Sequence, residues 1–216
     1  MFSITIIIVA VTCVVSFSSF SNEKLLNDLI FYPPAITNRN QWYRFITCGF
    51  IHADFMHLAF NMYSFYLFGQ IIENTFNDDI LFANKGKFVF LFLYISSLFF
   101  CLLPTYFINK DNYHYRSLGA SGAVSAVVFA YIFLAPMEKI GLIFIPFLQA
   151  PAFIFGILYL GVSAYLAKRG DSTINHSAHF WGAVYGILFL IISCSFMSSF
   201  NPLSNFIHQI QASFKS

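Results

Sequence analysis

A bundle of six membrane-spanning α-helices is the fold class that this sequence predicts, and three observations predict it. Only 9% of the 216 residues are charged and 58% are hydrophobic, with a mean hydropathy of +0.72. A soluble domain carries about 25% charged residues. The eleven Lys and Arg and nine Asp and Glu leave six long charge-free intervals, each near or above the ~20 apolar residues a helix needs to cross a bilayer. Those intervals also lack the period-2 alternation of a membrane β-barrel. The same composition argues against a soluble globular enzyme and against disorder. A net charge of +2 with no basic cluster argues against a nucleic-acid partner.

The charges place the spans in order. Residues 1–22 precede Glu23 and give a first span at about 2–20. It is read as a span rather than a cleaved signal peptide, because it has no positive start and its apolar run exceeds a usual signal core. The interval from Asp54 to Glu73 gives 56–73, Lys87 to Lys110 gives 88–107, Arg116 to Glu138 gives 120–136, and Lys139 to Lys168 gives 141–167. The interval from Asp171 to Lys215 is longer, but it turns polar from Ser198. That gives a span at 177–197, a single domain over 1–198 and a short polar tail over 199–216.

The loop at 21–55 is long for a compact bundle. It holds Pro33, Pro34, Trp42 and Arg44 among many aromatics, a mixture suited to a segment lying partly in the membrane interface. Of Cys13, Cys48, Cys101 and Cys194, three fall inside spans and none shows metal-ligand spacing, so buried packing is the expected role. Lys24, Arg39, Arg44, Lys110, Arg116, Lys168 and Arg169 follow the first, third and fifth spans, against Lys85, Lys87, Lys139 and Lys215 after the others. The positive-inside rule places the first set in the cytoplasm.

Polar groups inside spans are costly and usually mark a functional interior. Three clusters stand out. On a helix starting near Phe55, His57 and Asn61 stand four residues apart and share one face. Taken singly, such a pair more commonly glues helices together. In Gly119-Ala120-Ser121-Gly122, the serine sits where loop becomes helix. Glycine permits a tight approach there, and a helix start offers unpaired N–H groups that favour developing negative charge. Taken singly, this is more commonly an N-cap serine or a small-residue packing face. In the third cluster, His176 and His179 open the last span, and Gly182 and Gly186 form a G-x-x-x-G. A helix packed through that face brings His179 against a neighbour, and neutral histidine is the usual base for a serine hydroxyl. A metal is not expected. His52, His57, His176 and His179 are the available ligands, but no H-E-x-x-H is present and the acidic neighbours are only Asp54 and Asp171.

Together, and in this order, the clusters resemble the rhomboid intramembrane serine proteases. His52-x4-His57-x3-Asn61 resembles the family's motif of the second span, Gly119-Ala120-Ser121-Gly122 that of the fourth, and Ala178-His179-x2-Gly182-x3-Gly186 that of the sixth. Trp42-x-Arg44 resembles the W-R element of the long first loop, and Gly69-x3-Glu73 a pair ending the second span. The resemblance covers roughly residues 40–190. It implies the six-span minimal core of bacterial members, with a partly membrane-embedded first loop and no cofactor. Ser121 is then the nucleophile and His179 the general base and later acid. His57, Asn61 and the Ser121 backbone N–H form the oxyanion hole, with His52, Gly119, Gly122, Gly182 and Gly186 in support. The fifth span and the loops over the site gate water and substrate.

The implied activity is a serine endopeptidase that cuts transmembrane protein substrates within or near the lipid bilayer. The implied location is the bacterial plasma membrane, with the site on the extracytoplasmic side. That orientation reverses the one from the charge count. The resemblance is followed, because the long first loop alone supplies Lys24, Arg39 and Arg44. In one departure, Ser125 stands where several relatives carry an aromatic ring that stacks on the catalytic histidine. His179 is therefore expected to be oriented by Trp181, Phe129 or another neighbour. The alternative functions are a catalytically silent relative that binds membrane proteins and, less favoured, a small transporter. Against the transporter stand the lack of an inverted repeat and the scarcity of intramembrane carboxylates beyond Glu73.

Overall fold

The computed structural model describes residues 3–142, 145–169 and 174–215. Their elements follow in the order α1 (Ile4–Phe20), α2 (Glu23–Leu29), α3 (Pro33–Arg39), α4 (Arg44–Thr47), α5 (Phe55–Phe76), α6 (Gly86–Phe100), α7 (Leu103–Asn109), α8 (Ser121–Leu134), β1 (Lys139–Leu142), β2 (Ile145–Pro151), α9 (Ala152–Arg169), α10 (His176–Met197) and α11 (Pro202–Ser213). Each of the six expected spans has its helix: α1, α5, α6, α8, α9 and α10. Phe2 of the first expected span, residues 143–144 of the fifth, and Asp171 lie outside the described residues. The stretches Ala83–Asn109, Ala152–Arg169 and His176–Met197 are long and apolar enough to cross a membrane, while Ile4–Phe20 and Ser121–Leu134 are apolar but shorter. The chain is an all-α membrane protein with one small hairpin.

The helix α8 is the axis of the bundle. Ten of its fourteen residues are buried, so it has no polar face to turn outward, and it packs against α10, α5 and α6. Alternating small residues make this possible: Gly122, Ala123, Ala126 and Ala130 let neighbouring backbones approach closely. The surrounding helices supply large side chains to the core, among them Phe65, Phe76, Phe90, Leu93 and Tyr94.

The helix α1 is bound into the bundle through its start. Glu73, near the end of α5, is buried, and its carboxylate accepts from Ser3 Oγ at 2.7 Å, Ile4 N at 2.8 Å, and Thr5 N and Oγ1 at 2.9 and 2.8 Å. A negative group at a helix N-terminus satisfies orphan amides and meets the positive end of the helix dipole. Lys87 Nζ lies 3.8 Å from the same carboxylate. Glu73→Ala strands these donors and is expected to cost about 3 kcal/mol, read as a lower thermal midpoint in detergent. Glu73→Gln keeps an acceptor oxygen and is expected to lose less.

Two expectations are corrected, at proline and at a polar end. The third expected span, 88–107, lies within the apolar helical stretch Ala83–Asn109, which turns between α6 and α7 just before Pro104. The fifth, 141–167, starts too early. A helix over that range would carry Pro146 and Pro151 in its interior, each without an N–H to donate. Instead β1 and β2 pair antiparallel, Lys139 opposite Pro151 and Ile140 opposite Ala150. The helix α9 then starts at Ala152, where Ala152 N and Phe153 N donate to Glu138 O and Pro136 O. Finally, the residues expected to be a polar tail form α11. Its Asn205 and Gln209 amides both donate to Leu134 O at 3.0 Å, and Phe206 stacks on Phe133. The tail thus closes the open C-terminal end of α8.

Candidate active site

The first loop is folded against the loop that leads into α8. Arg44 is buried: its Nη1 donates to Asn27 O and Ile30 O, both at 2.8 Å, and its Nε to Gln41 Oε1 at 2.6 Å. One guanidinium thereby ties together the carbonyls of a stretch that has no sheet to satisfy them. Trp42 stacks on Phe45 and leans on Tyr106. With its shape held, this loop offers an edge: Phe31 N and O pair with Ser117 O and N at 3.0 and 3.1 Å. Gly119 N then donates to Cys48 O at 2.9 Å. Gly119 has φ of +110°, and a Cβ there would lie 2.7 Å from His57 Cε1 and 2.9 Å from Nε2. Only glycine fits that turn beside that imidazole.

At the turn's end, Ala120 is the N-cap of α8, with no side-chain capping bond, and Ser121 is the first helical residue. The serine therefore does not act as the cap. Its Oγ lies 2.7 Å from His179 Nε2. At the first position of a helix its own N–H has no partner within the helix. Asn175 caps α10 by accepting from Ala178 N at 3.0 Å, which sets His179 in the first turn and a half. Farther along, Gly182 and Gly186 seat α10 on α8. A Cβ at Gly182 would collide with Gly122 O, and one at Gly186 with Ala126 O. The expected glycine face is thus the contact that brings His179 to Ser121.

His57 meets this site at Gly119, and Asn61 stands one turn farther along α5. Asp54 caps α5, accepting from His57 N at 2.8 Å. Ala53 N donates to His57 Nδ1 at 3.5 Å, which leaves the imidazole hydrogen on Nε2, the atom beside Gly119. Asn61 is buried and its Nδ2 donates to His57 O at 2.9 Å, so one of its two amide hydrogens is already committed. His52 is buried and works through the backbone. Ala120 N donates to its Nε2 at 3.4 Å, its Nδ1 meets Ser16 Oγ at 2.9 Å, and Ser16 Oγ donates to Phe50 O. Burial, then neighbouring His57, pushes the His52 imidazole down to about 3, which keeps it neutral, as this chain of donors requires. Burial pushes the Cys48 thiol up to about 12, so it stays a thiol at neutral pH.

Among the described residues, a ring facing His179 belongs to neither Trp181 nor Phe129 but to another neighbour. Trp181 is 42% exposed and packs edge-on to Phe180. Phe129 packs on Tyr159, and it is Tyr159, from α9, whose ring faces His179 at 6.3 Å with the planes 19° apart. No motif marks Tyr159 among the twelve tyrosines, since only the packing of α9 on α10 brings it there. A cavity of about 10 Å³, bordered by Cys101, Gly119, Ser121 and Asn175 among others, lies beside the serine.

A family model described as Rhomboid domain matches residues 39–196. The chain is 32% identical to RHOMBOID-like protein 12, mitochondrial, of Arabidopsis thaliana over 64% of its own length and 42% of that protein. It is 30% identical to Rhomboid-like protein 11, chloroplastic, of the same plant over 73% of the chain and 55% of the relative. It is 31% identical to the Putative rhomboid protease YdcA of Bacillus subtilis over 68% and 65%. The matches span about half the length of these relatives.

Proposed function

This chain belongs to the rhomboid family, and on that premise we propose that it is an intramembrane serine endopeptidase working through a Ser121–His179 dyad. The observation that carries the reading is the 2.7 Å contact between Ser121 Oγ and His179 Nε2, made across two helices at a helix start. In this reading Ser121 Oγ attacks the scissile carbonyl as its proton passes to Nε2. The oxyanion then forms against the Ser121 N–H, His57 Nε2–H and the second Asn61 amide hydrogen. The imidazolium returns its proton to the leaving amine. A water, deprotonated by the same nitrogen, hydrolyses the acyl-enzyme. The cavity beside Ser121 is of the size of a single water.

The depth of the site supports a membrane substrate. With fourteen residues, α8 is about 21 Å long, short of a hydrocarbon core of about 30 Å. At least one of its ends therefore lies within the bilayer. Its N-terminal loop has the backbone partners that such depth demands, in Phe31, Cys48 and His52. The reading places the protein in a bacterial plasma membrane with the dyad opening to the extracytoplasmic side, as the family resemblance implies. The test is cleavage of a transmembrane-segment substrate by the purified chain in detergent. Wild type is expected to cut and Ser121→Ala and His179→Ala are not; equal cleavage by either variant would overturn the dyad.

A further inference from the structure

We propose that Tyr159 is a positioning residue that holds the His179 imidazole in line with Ser121, supplying from α9 the ring that α8 lacks at Ser125. Four contacts converge on it. Ser125, one turn beyond Ser121, donates its only hydroxyl hydrogen to Ser121 O at 2.8 Å. The 2.7 Å contact between Ser125 Oγ and Tyr159 Oη must then run from the tyrosine hydroxyl to the serine oxygen. The phenol is in this way tied to the helix that carries the nucleophile. Its ring faces the imidazole of His179 nearly in parallel, at a centroid distance within the usual range for ring pairs. Phe129 and Phe155 pack against Tyr159 at 5.5 and 6.2 Å and restrict the tilt of the phenol.

Among the described residues His176 also meets the imidazole, edge-on at 5.7 Å. Tyr159 has in addition a hydrogen-bonded link to α8. Its helix is lightly embedded: the buried residues of α9 are Ala152, Gly156 and Ser163. Dyad alignment therefore depends on where α9 sits, and Ser125 is an anchor for the phenol rather than an empty replacement for an aromatic. Tyr159 acts through the ring of His179 and the hydroxyl of Ser125, so its effect falls on the orientation of the base and not on substrate binding.

The kinetic half of this inference rests on the protease reading, and a spectroscopic half does not. The experiment compares wild type, Tyr159→Phe and Tyr159→Ala, each as the full chain in detergent with 13C-labelled histidine. Tyr159→Ala is expected to lower kcat about tenfold with KM nearly unchanged, while Tyr159→Phe keeps the ring and stays within about threefold of wild type. The His179 Cε1–H resonance, assigned through His179→Ala, is expected to move in Tyr159→Ala and to stay near its place in Tyr159→Phe. An unmoved resonance with unchanged kcat in Tyr159→Ala would overturn the proposal. So would a loss confined to KM, which would make Tyr159 a substrate contact, or an equal loss in Tyr159→Phe. If wild type itself is inert while the resonance moves as expected, the protease reading fails and the positioning role stands. Should Tyr159→Ala not fold, Tyr159→Leu keeps bulk without a ring and is read the same way.

Discussion

Ser121→Ala is expected to lose labelling by a fluorophosphonate probe completely and to lower peptide-bond cleavage by about 10⁴-fold or more. The size follows from the site's composition. With neither an acidic partner nor a metal in the reading, the covalent step rests on one hydroxyl and one imidazole 2.7 Å apart. Groups that act as a unit lose nearly everything when either is removed, so His179→Ala is expected to fall as far as Ser121→Ala. Asn61→Ala is expected to be milder, about 10²-fold in kcat, because it removes one of several oxyanion donors and that amide already spends one hydrogen on His57 O. Labelling and cleavage measured on the same preparations separate these cases. Labelling retained in Ser121→Ala would show that the probe reacts elsewhere and would sink the nucleophile assignment.

The second large effect belongs to a residue with no chemistry of its own. Gly182→Ala sets a methyl group against the Gly122 carbonyl oxygen, a backbone atom that cannot swing aside. Overpacking of this kind typically costs about 1–3 kcal/mol, and α10 can relieve it only by moving off α8. His179 lies one turn from Gly182 and Ser121 is the neighbour of Gly122, so that relief opens the dyad directly. A misplacement of about 1 Å can cost about 10²-fold in rate. Gly182→Ala is thus expected to show a lower thermal midpoint and a roughly hundredfold slower labelling by the probe. Gly161→Ala is the control. Nothing lies within 4 Å of a Cβ at that position of α9, and alanine favours a helix over glycine by about 1 kcal/mol, so labelling there should match wild type. Normal labelling in Gly182→Ala would mean that the glycine contact does not set the dyad.

These expectations draw on parts of the molecule that were unequally legible. The helices could be read from charge because the bilayer penalises each charged side chain, so the gaps between Glu23, Asp54, Lys87 and their successors outline the spans. The glycine face of α10 was legible because a G-x-x-x-G has one strong physical use. Helix starts and stops at proline were less so. Charge counting carried the fifth span through Pro146 and Pro151, where the missing amide hydrogens instead favour a hairpin. It also took 199–216 as tail, since nothing local reveals that Asn205 and Gln209 find the free Leu134 carbonyl.

By itself the sequence determined the membrane class, a helix in each of the six charge-poor intervals, and the candidates Ser121, His179, His57 and Asn61, because each depends on local composition or on spacing along one helix. Only the tertiary structure decided that Ser121 is the first residue of α8 rather than its cap, that Glu73 holds the start of α1, and that a tyrosine from α9 faces the base. The last two of these facts join residues separated by 20 to 70 positions. Their pairing follows from how helices pack across the bundle, and no period within a single helix encodes it.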